Sequence, residues 1–217
     1  VAAHNELGAG MQLAMKDLEI RGAGNLLGGE QSGHIAGVGF DLYLRLVGEA
    51  VADFRGEKEE AAPAEMKIEL PVDAHLPHDY VPGERLRLEA YRNLAAAATD
   101  EAVDEVAAEL ADRYGELPEP ARNLLAIARL RIRARAAGLS EIMTMGSKIR
   151  FHPVDLPDSR RMRLERMYPG ALVKPVPGTE TRQILVPKPK TAPVGGKDLV
   201  DGQILAWVRE FIDAILA

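Results

Sequence analysis

The stretch "EIMTMGSKIRFHP", residues 141–153, decides the class of fold, because its pattern is that of strands and follows a helical region. Ile149 and Phe151 alternate with polar residues, as expected when successive side chains point to opposite faces of a strand. Gly146 and Ser147 lie between two such runs and favour a two-residue turn. We therefore predict an antiparallel hairpin centred on these two residues.

Further strands are expected on both sides of this hairpin. The stretch "ALVKPVPGTETRQILVP", residues 171–187, predicts two short strands around Pro177 and Gly178. Residues 67–70 predict another short strand, which Pro71 ends. Together these runs predict an antiparallel sheet.

Helical patterns surround the predicted strands. We expect helices over residues 82–98, from Thr99 to Gly115, and from Pro118 or Pro120 to Gly138. The second of these has an apolar stripe consisting of Val103, Val106, Leu110 and Tyr114. A final amphipathic helix is expected over residues 201–217, with Ile204, Val208, Phe211, Ile212 and Ile215 on one face. Helices combined with an antiparallel sheet predict an α+β domain.

The first third of the chain has a different character. The stretch "RGAGNLLGGEQSGHIAGVG", residues 21–39, holds seven glycines in nineteen residues, and a continuous helix is disfavoured because each interior Gly costs about 0.5–1 kcal/mol. A hairpin or loop is expected there. An amphipathic helix follows over residues 40–54, and a charged linker over residues 55–65.

Composition restricts the possible functions. The chain has 217 residues, of which 47% are hydrophobic and 28% charged, and it has no cysteine. Disulfides and thiolate metal sites are therefore excluded, and a cytoplasmic location is expected. No apolar run reaches the roughly 20 residues that a membrane span needs. The chain begins at Val1, with no initiator Met, and is expected to be a piece of a longer protein.

Charge is unevenly distributed along the chain. Residues 67–121 contain 5 basic and 13 acidic residues, whereas residues 122–190 contain 15 basic and 5 acidic residues. We expect the two blocks to neutralise each other within one domain, with the arginines at 129, 131, 133 and 135 solvated beside an acidic neighbour. The alternative is that residues 122–190 form a basic nucleic-acid-binding module.

Several motifs have simpler interpretations than a functional site. "GAGNLLG", residues 22–28, does not fit the dinucleotide fingerprint, and the chain has no phosphate-binding P-loop, so no nucleotide binding is expected from this chain alone. His75 and His78 lie three positions apart, with Asp73 and Asp79 nearby, but a zinc site is disfavoured because the stretch is broken by proline and is expected to be a surface loop without the second shell that holds metal ligands. Arg21 could simply pair with Asp17 at helical spacing, and Gln31 could simply be exposed.

Longer motifs resemble a known family. Residues 17–43, "DLEIRGAGNLLGGEQSGHIAGVGFDLY", resemble the TRG (translocation in RecG) segment of the RecG and Mfd double-stranded DNA translocases. "IELPVDAHLPHDYV", "RLRLEAYR" and "ELADRYGELPEPARNLL" are similar to the TRCF domain at the C-terminus of bacterial transcription-repair coupling factors. The TRCF-like motifs favour this family over the RecG-type fork-remodelling helicases, which remain an alternative.

The resemblance implies a division of the chain into three parts. Residues 1–40 would form the end of a second RecA-like motor lobe with its TRG segment, and residues 41–66 a connecting helix and linker. Residues 67–217 would form the TRCF domain. Within the TRG segment, Arg21 and Gln31 match the Arg and Gln that couple ATP hydrolysis to movement in the family. Four glycines would act as hinges there: Gly22, Gly24, Gly28 and Gly29.

The resemblance also implies partners and cofactors. The parent would use ATP and Mg²⁺ to move along double-stranded DNA, displace stalled RNA polymerase and recruit the excision-repair protein UvrA. The C-terminal domain would be an autoinhibitory cap on the parent's own N-terminal UvrB-like region, hiding the UvrA-binding surface. This chain alone would hold no cofactor, no metal and no catalytic residue, although the parent would be an ATP hydrolase.

Overall fold

The structure, a computed structural model, describes residues 66–217, which contain five strands and five α-helices. The strands are β1 (Lys67–Glu69), β2 (Glu141–Met145), β3 (Lys148–Val154), β4 (Leu172–Pro175) and β5 (Arg182–Pro187). The helices are α1 (Glu84–Ala96), α2 (Asp100–Tyr114), α3 (Glu119–Ala136), α4 (Asp158–Met167) and α5 (Asp201–Phe211), and a π-helical turn (Ile212–Leu216) follows α5. The α+β prediction is confirmed.

The five strands form one mixed sheet in the order β1-β2-β3-β5-β4. The predicted hairpin is confirmed, since Met145 is opposite Lys148 across the Gly146–Ser147 turn. Three of the four strand pairs are antiparallel, as expected, but β1 lies parallel to β2. The antiparallel prediction fails at this edge because α1, α2 and α3 intervene, and such a long crossover allows parallel pairing.

The ends of the helices follow the local sequence. The Thr99 hydroxyl accepts a hydrogen bond from the Ala102 amide at 3.1 Å and so caps α2. Gly115 ends the same helix with φ of +89°, a conformation that favours glycine. Both predictions from sequence are confirmed.

The core lies between one face of the sheet and the helices. Ile142, Phe151 and Ile184 lie on that face and are fully buried. The aromatic ring of Phe211 in α5 stacks on Phe151 with ring centroids 4.3 Å apart. Tyr168, just after α4, meets Phe211 edge-on at 4.8 Å. This aromatic cluster holds α5 and the end of α4 against the sheet.

Buried polar side chains fix the extended segment that leads into α1. Arg87 donates to the Val81 carbonyl at 2.8 Å, and the Tyr91 hydroxyl accepts from the Leu76 amide at 2.8 Å. Arg131 donates to the Met66 carbonyl at 3.0 Å. Extended backbone has no hydrogen bonds of its own, so these side chains supply the partners that burial requires.

One helix and one arginine side chain differ from the sequence-based expectations. Helix α4 was not predicted, because only Leu164 is buried in it and no apolar stripe marks it. Arg131 is buried rather than solvated, since α3 is covered on more than one side. The expectation that all four arginines of α3 face solvent is therefore wrong for this residue.

Candidate interaction surfaces

The residues predicted to couple the motor lie outside the part of the chain that the structure describes. These are Arg21 and Gln31 together with the predicted hinge glycines Gly22, Gly24, Gly28 and Gly29. The same holds for the predicted segments 1–40 and most of 41–66. Their roles remain predictions, and the surfaces considered below belong to residues 66–217.

The two histidines considered for zinc have different surroundings. The His75 imidazole hydrogen-bonds through Nδ1 to the Asp73 carboxylate at 2.8 Å, whereas His78 is exposed. Within residues 66–217, no three His, Asp or Glu side chains converge in a way that could hold a metal ion. The contact of His75 belongs to a network that joins the extended segment to two helices.

This network connects the extended segment to α3 and to the start of α5. The Asp201 carboxylate accepts the Asp73 amide at 2.8 Å, and the Asn123 side-chain amide donates to the Asp73 carbonyl at 2.9 Å. The Asp201 amide donates to the Pro71 carbonyl at 2.9 Å. Asp201 has φ of +52°, in the left-handed region that Asp tolerates better than most residues. Hydrogen bonds from both backbone and side-chain groups therefore hold the extended segment to α3 and α5.

The outer surface of α2 is strongly acidic. The helix has six acidic residues and one basic residue, Arg113. Helical spacing places four exposed carboxylates together on the side opposite the core, and we name them the acidic surface: Glu101, Glu105, Glu109 and Asp112. Like charges at this spacing destabilise a helix slightly, but Glu109 also pairs with Arg113 at 3.5 Å, and Glu101 lies in the first turn, where a negative charge is favourable.

A shallow apolar notch between α1 and α2 adjoins the acidic surface. Its apolar lining consists of Leu86, Ala90, Val106, Leu110 and Tyr114, and polar side chains complete it: Glu89, Asn93, Glu109 and Arg113. Leu86 is a large apolar residue, and it is 37% exposed. At one end the Tyr80 hydroxyl donates to the Gly115 carbonyl at 2.8 Å, and burial raises the pKa of this phenol above its usual value. Apolar area beside carboxylates is typical of a protein contact surface.

Part of the basic block is used within the domain. Arg129 of α3 pairs with Asp104 of α2, and Arg133 pairs with Asp213 in the π-helical turn. The first contact agrees with the predicted neutralisation between residues 67–121 and residues 122–190, whereas Asp213 lies outside both blocks. Arg161 and Arg166, in contrast, lie exposed on α4.

The second face of the sheet is partly open and has a polar network across three strands. Arg150 of β3 donates to the Glu141 carboxylate of β2 at 3.2 Å and also to Gln183 of β5. The His152 Nε2 lies 2.9 Å from the Thr181 hydroxyl. Desolvation and nearby Arg150 lower the pKa of His152 below its usual value, against the opposing effect of Glu141.

Comparisons with known proteins place these features in a family. Residues 70–163 match the TRCF domain family. The transcription-repair-coupling factor of Mycobacterium tuberculosis is 50% identical over 226 aligned positions, which cover 99% of this chain and 18% of that protein. The Escherichia coli K12 protein of the same name is 42% identical over 146 positions, covering 65% of this chain and 13% of its own length. The chain thus spans less than a fifth of these relatives.

A solved structure shares the fold. A crystal structure of the C-terminal domain of a transcription-repair coupling factor superposes with a TM-score of 0.56 at 19% identity, covering 70% of this chain and 91% of that one. In residues 66–217, none of the helices is both long and apolar enough to cross a membrane. The chain belongs to the transcription-repair-coupling factor family and corresponds to its C-terminal region, with a TRCF domain at residues 70–163.

Proposed function

We propose that this chain is the C-terminal part of an ATP-dependent double-stranded DNA translocase that removes stalled RNA polymerase and recruits nucleotide excision repair. The observation that supports this best is the 50% identity to the mycobacterial transcription-repair-coupling factors across 99% of the chain. The name of those relatives describes coupling between transcription and repair. DNA, RNA polymerase and UvrA would be bound by other parts of the parent, as would ATP and Mg²⁺.

Residues 1–40 are proposed to couple the motor to movement. A guanidinium can hold a carboxylate or phosphate in a bidentate manner, and an uncharged amide can both donate and accept, so Arg21 and Gln31 suit contacts that are remade in each cycle. Glycine backbone suits a segment that changes shape, and four glycines follow Arg21 within eight positions.

This coupling role predicts that the intact parent can lose movement along DNA while it retains ATP hydrolysis. Arg21→Ala and Gln31→Ala should each leave DNA-stimulated ATP hydrolysis in place and abolish movement along DNA, measured by triplex displacement. The neighbouring Asn25→Ala provides a control for any change in the loop. Equal loss of hydrolysis and movement would contradict a coupling role.

The TRCF domain is proposed to act as a removable cap on the parent's UvrB-like region. The acidic surface of α2 and the apolar notch beside it are the most suitable contact area, because they adjoin each other and combine exposed carboxylates with apolar side chains. A partly polar contact within one chain is typically modest in strength, so a few kcal/mol would reverse its population.

The cap can be tested in the intact parent by charge reversal. Glu105→Lys together with Glu109→Lys should raise UvrA binding, as should deletion from residue 67 onward. Glu165→Lys on exposed α4 is the matched control and should leave UvrA binding unchanged. If the deletion raises UvrA binding but the double variant does not, the cap stands and the acidic surface is the wrong contact area. If neither changes it, the cap itself is refuted.

A second candidate is a nucleic-acid-binding module in residues 122–190, favoured by the exposed arginines of α4. It predicts that the chain binds short duplex DNA with an affinity that falls steeply as salt rises. Arg161→Glu with Arg166→Glu should then remove binding. Retention of binding by this double variant would exclude α4 as the contact.

A further inference from the structure

An open groove lies between α2, α3 and α5, on the other side of α2 from the apolar notch. Its volume is about 430 Å³. The apolar lining consists of Ala107, Leu117, Leu125, Ala126, Leu130, Leu205 and Ala206. Because several of these residues are alanines, the helices leave space that larger side chains would have filled.

The floor of the groove is apolar and belongs to the core. Leu125, Leu130 and Leu205 are each no more than 4% exposed. Ala206 stands exposed at the edge and Gly202 opens the first turn of α5. An apolar ligand side chain entering here would meet leucine side chains below it and small residues beside it, which is the arrangement of a helix-binding groove.

The rim of the groove is basic. Arg122, Arg129 and Arg209 line it: the first is in the first turn of α3, the second in the middle of α3 and the third on α5. Arg129 is already paired with Asp104, and the Arg122 guanidinium donates to the Leu117 carbonyl at 2.8 Å. Among the described residues, no carboxylate lies within 4 Å of Arg122 or Arg209. Two guanidinium groups thus remain available for acidic groups from outside.

From this geometry we propose that the groove binds an acidic amphipathic helix of a partner protein. Two or three apolar side chains of that helix would enter the groove, and carboxylates flanking them would pair with Arg122 and Arg209. Nucleic acid fits the groove poorly, because the floor is aliphatic and its lining has no aromatic ring on which a base could stack. The proposal is independent of the cap function, since it concerns a different surface.

The proposal can be tested on the full chain with a designed probe. The probe is a fluorescein-labelled helical peptide with Leu at positions i, i+3 and i+7 and Glu on both flanks of that stripe. Matched peptides replace either every Glu by Lys or every Leu by Ser. Fluorescence anisotropy should show saturable binding of the first peptide only. Absence of saturable binding by the first peptide, or equal binding by the Ser peptide, would overturn the proposal.

Variants of the chain locate the site. Ala206→Trp fills the groove from its exposed edge, and Arg209→Glu reverses a rim charge; each should weaken probe binding about tenfold or more. Arg92→Glu changes an exposed arginine of α1 outside the groove; it is the control and should bind the probe as the unaltered chain does. Urea unfolding of each variant confirms that it is folded. Equal binding by all variants would place the probe elsewhere and refute the proposal.

Other occupants give distinct outcomes. Displacement of the probe by the peptide of residues 40–54 would make the chain's own segment the occupant. Displacement by duplex DNA would make it a nucleic-acid site, and concentration-dependent self-association that Ala206→Trp abolishes would make it a contact between copies. Each of these results contradicts a partner helix.

Discussion

The Arg131 guanidinium donates a hydrogen bond to the backbone carbonyl of Met66, 65 positions earlier in the chain, at 3.0 Å. The contact fixes the residue directly before β1 to α3. Desolvation, with a smaller effect from Arg135, lowers the pKa of Arg131 to about 9. Burial by itself disfavours the charged form of the side chain. The benefit of a buried arginine at this position is therefore the hydrogen bond that it donates to Met66.

Arg131→Met should destabilise the domain by about 1–3 kcal/mol, because methionine keeps much of the volume but leaves a buried carbonyl without this donor. Urea unfolding followed by the fluorescence of Trp207, the one tryptophan of the chain, measures the loss. Hydrogen exchange of the β1 amides should rise as well. Arg135→Met changes an exposed arginine of the same helix and should cost no more than about 0.5 kcal/mol.

Thr99→Ala should lower the free energy of unfolding by about 1 kcal/mol, because the Ala102 amide at the start of α2 loses its side-chain acceptor. Thr99→Ser keeps a hydroxyl at the same position and should lose much less. The same tryptophan-monitored urea unfolding compares the two. Equal destabilisation by Ala and Ser would show that the methyl group, and not the cap, is important.

Local chemistry explains which parts of the fold were predictable. Thr99 and Gly115 determine the ends of α2 through their own backbone and side-chain preferences, and the Gly146–Ser147 turn determines a hairpin without help from distant residues. The direction of β1 depends instead on where a long crossover returns, which no local pattern encodes. Helix α4 is held by a single buried leucine, Leu164, and so lacks a periodic pattern.

The candidate surfaces likewise include features that the sequence predicts and features that it does not. The charge blocks were visible in the sequence, and the contact of Arg129 with Asp104 agrees with the expected neutralisation. Burial of Arg131 was missed, although it follows the buried residues Leu124 and Ile127 at helical spacing, because an arginine is rarely buried. The groove is formed by three helices that are distant in sequence. The space that its small residues leave therefore cannot be predicted from any one of these helices.

Phe211→Ala should cost about 3–5 kcal/mol, because this ring contacts Phe151, Tyr168 and Trp207 and is fully buried. The emission of Trp207 should shift to longer wavelength in the folded variant, since its stacking partner is replaced by a cavity or by water. Phe211→Leu fills part of the space and should cost clearly less. A loss below about 1 kcal/mol for the alanine variant would show that the aromatic cluster does not hold α5 to the sheet.

His152 should make stability depend on pH below neutrality. Its pKa is lowered in the folded domain, mainly by desolvation and then by Arg150, so the unfolded chain takes up the proton more readily. Its favourable contribution is complete above the ordinary histidine pKa of about 6.5, falls as the pH drops below that value, and levels off below the folded pKa.

His152→Gln cannot titrate, but its amide can still reach the Thr181 hydroxyl. The stability difference between the unaltered chain and this variant should therefore shift in favour of the variant between pH 7 and pH 5. Because Glu141 and the other carboxylates are present in both proteins, their titration largely cancels in that difference. A difference that stays constant over this range, or that shifts towards the unaltered chain, would contradict the lowered pKa.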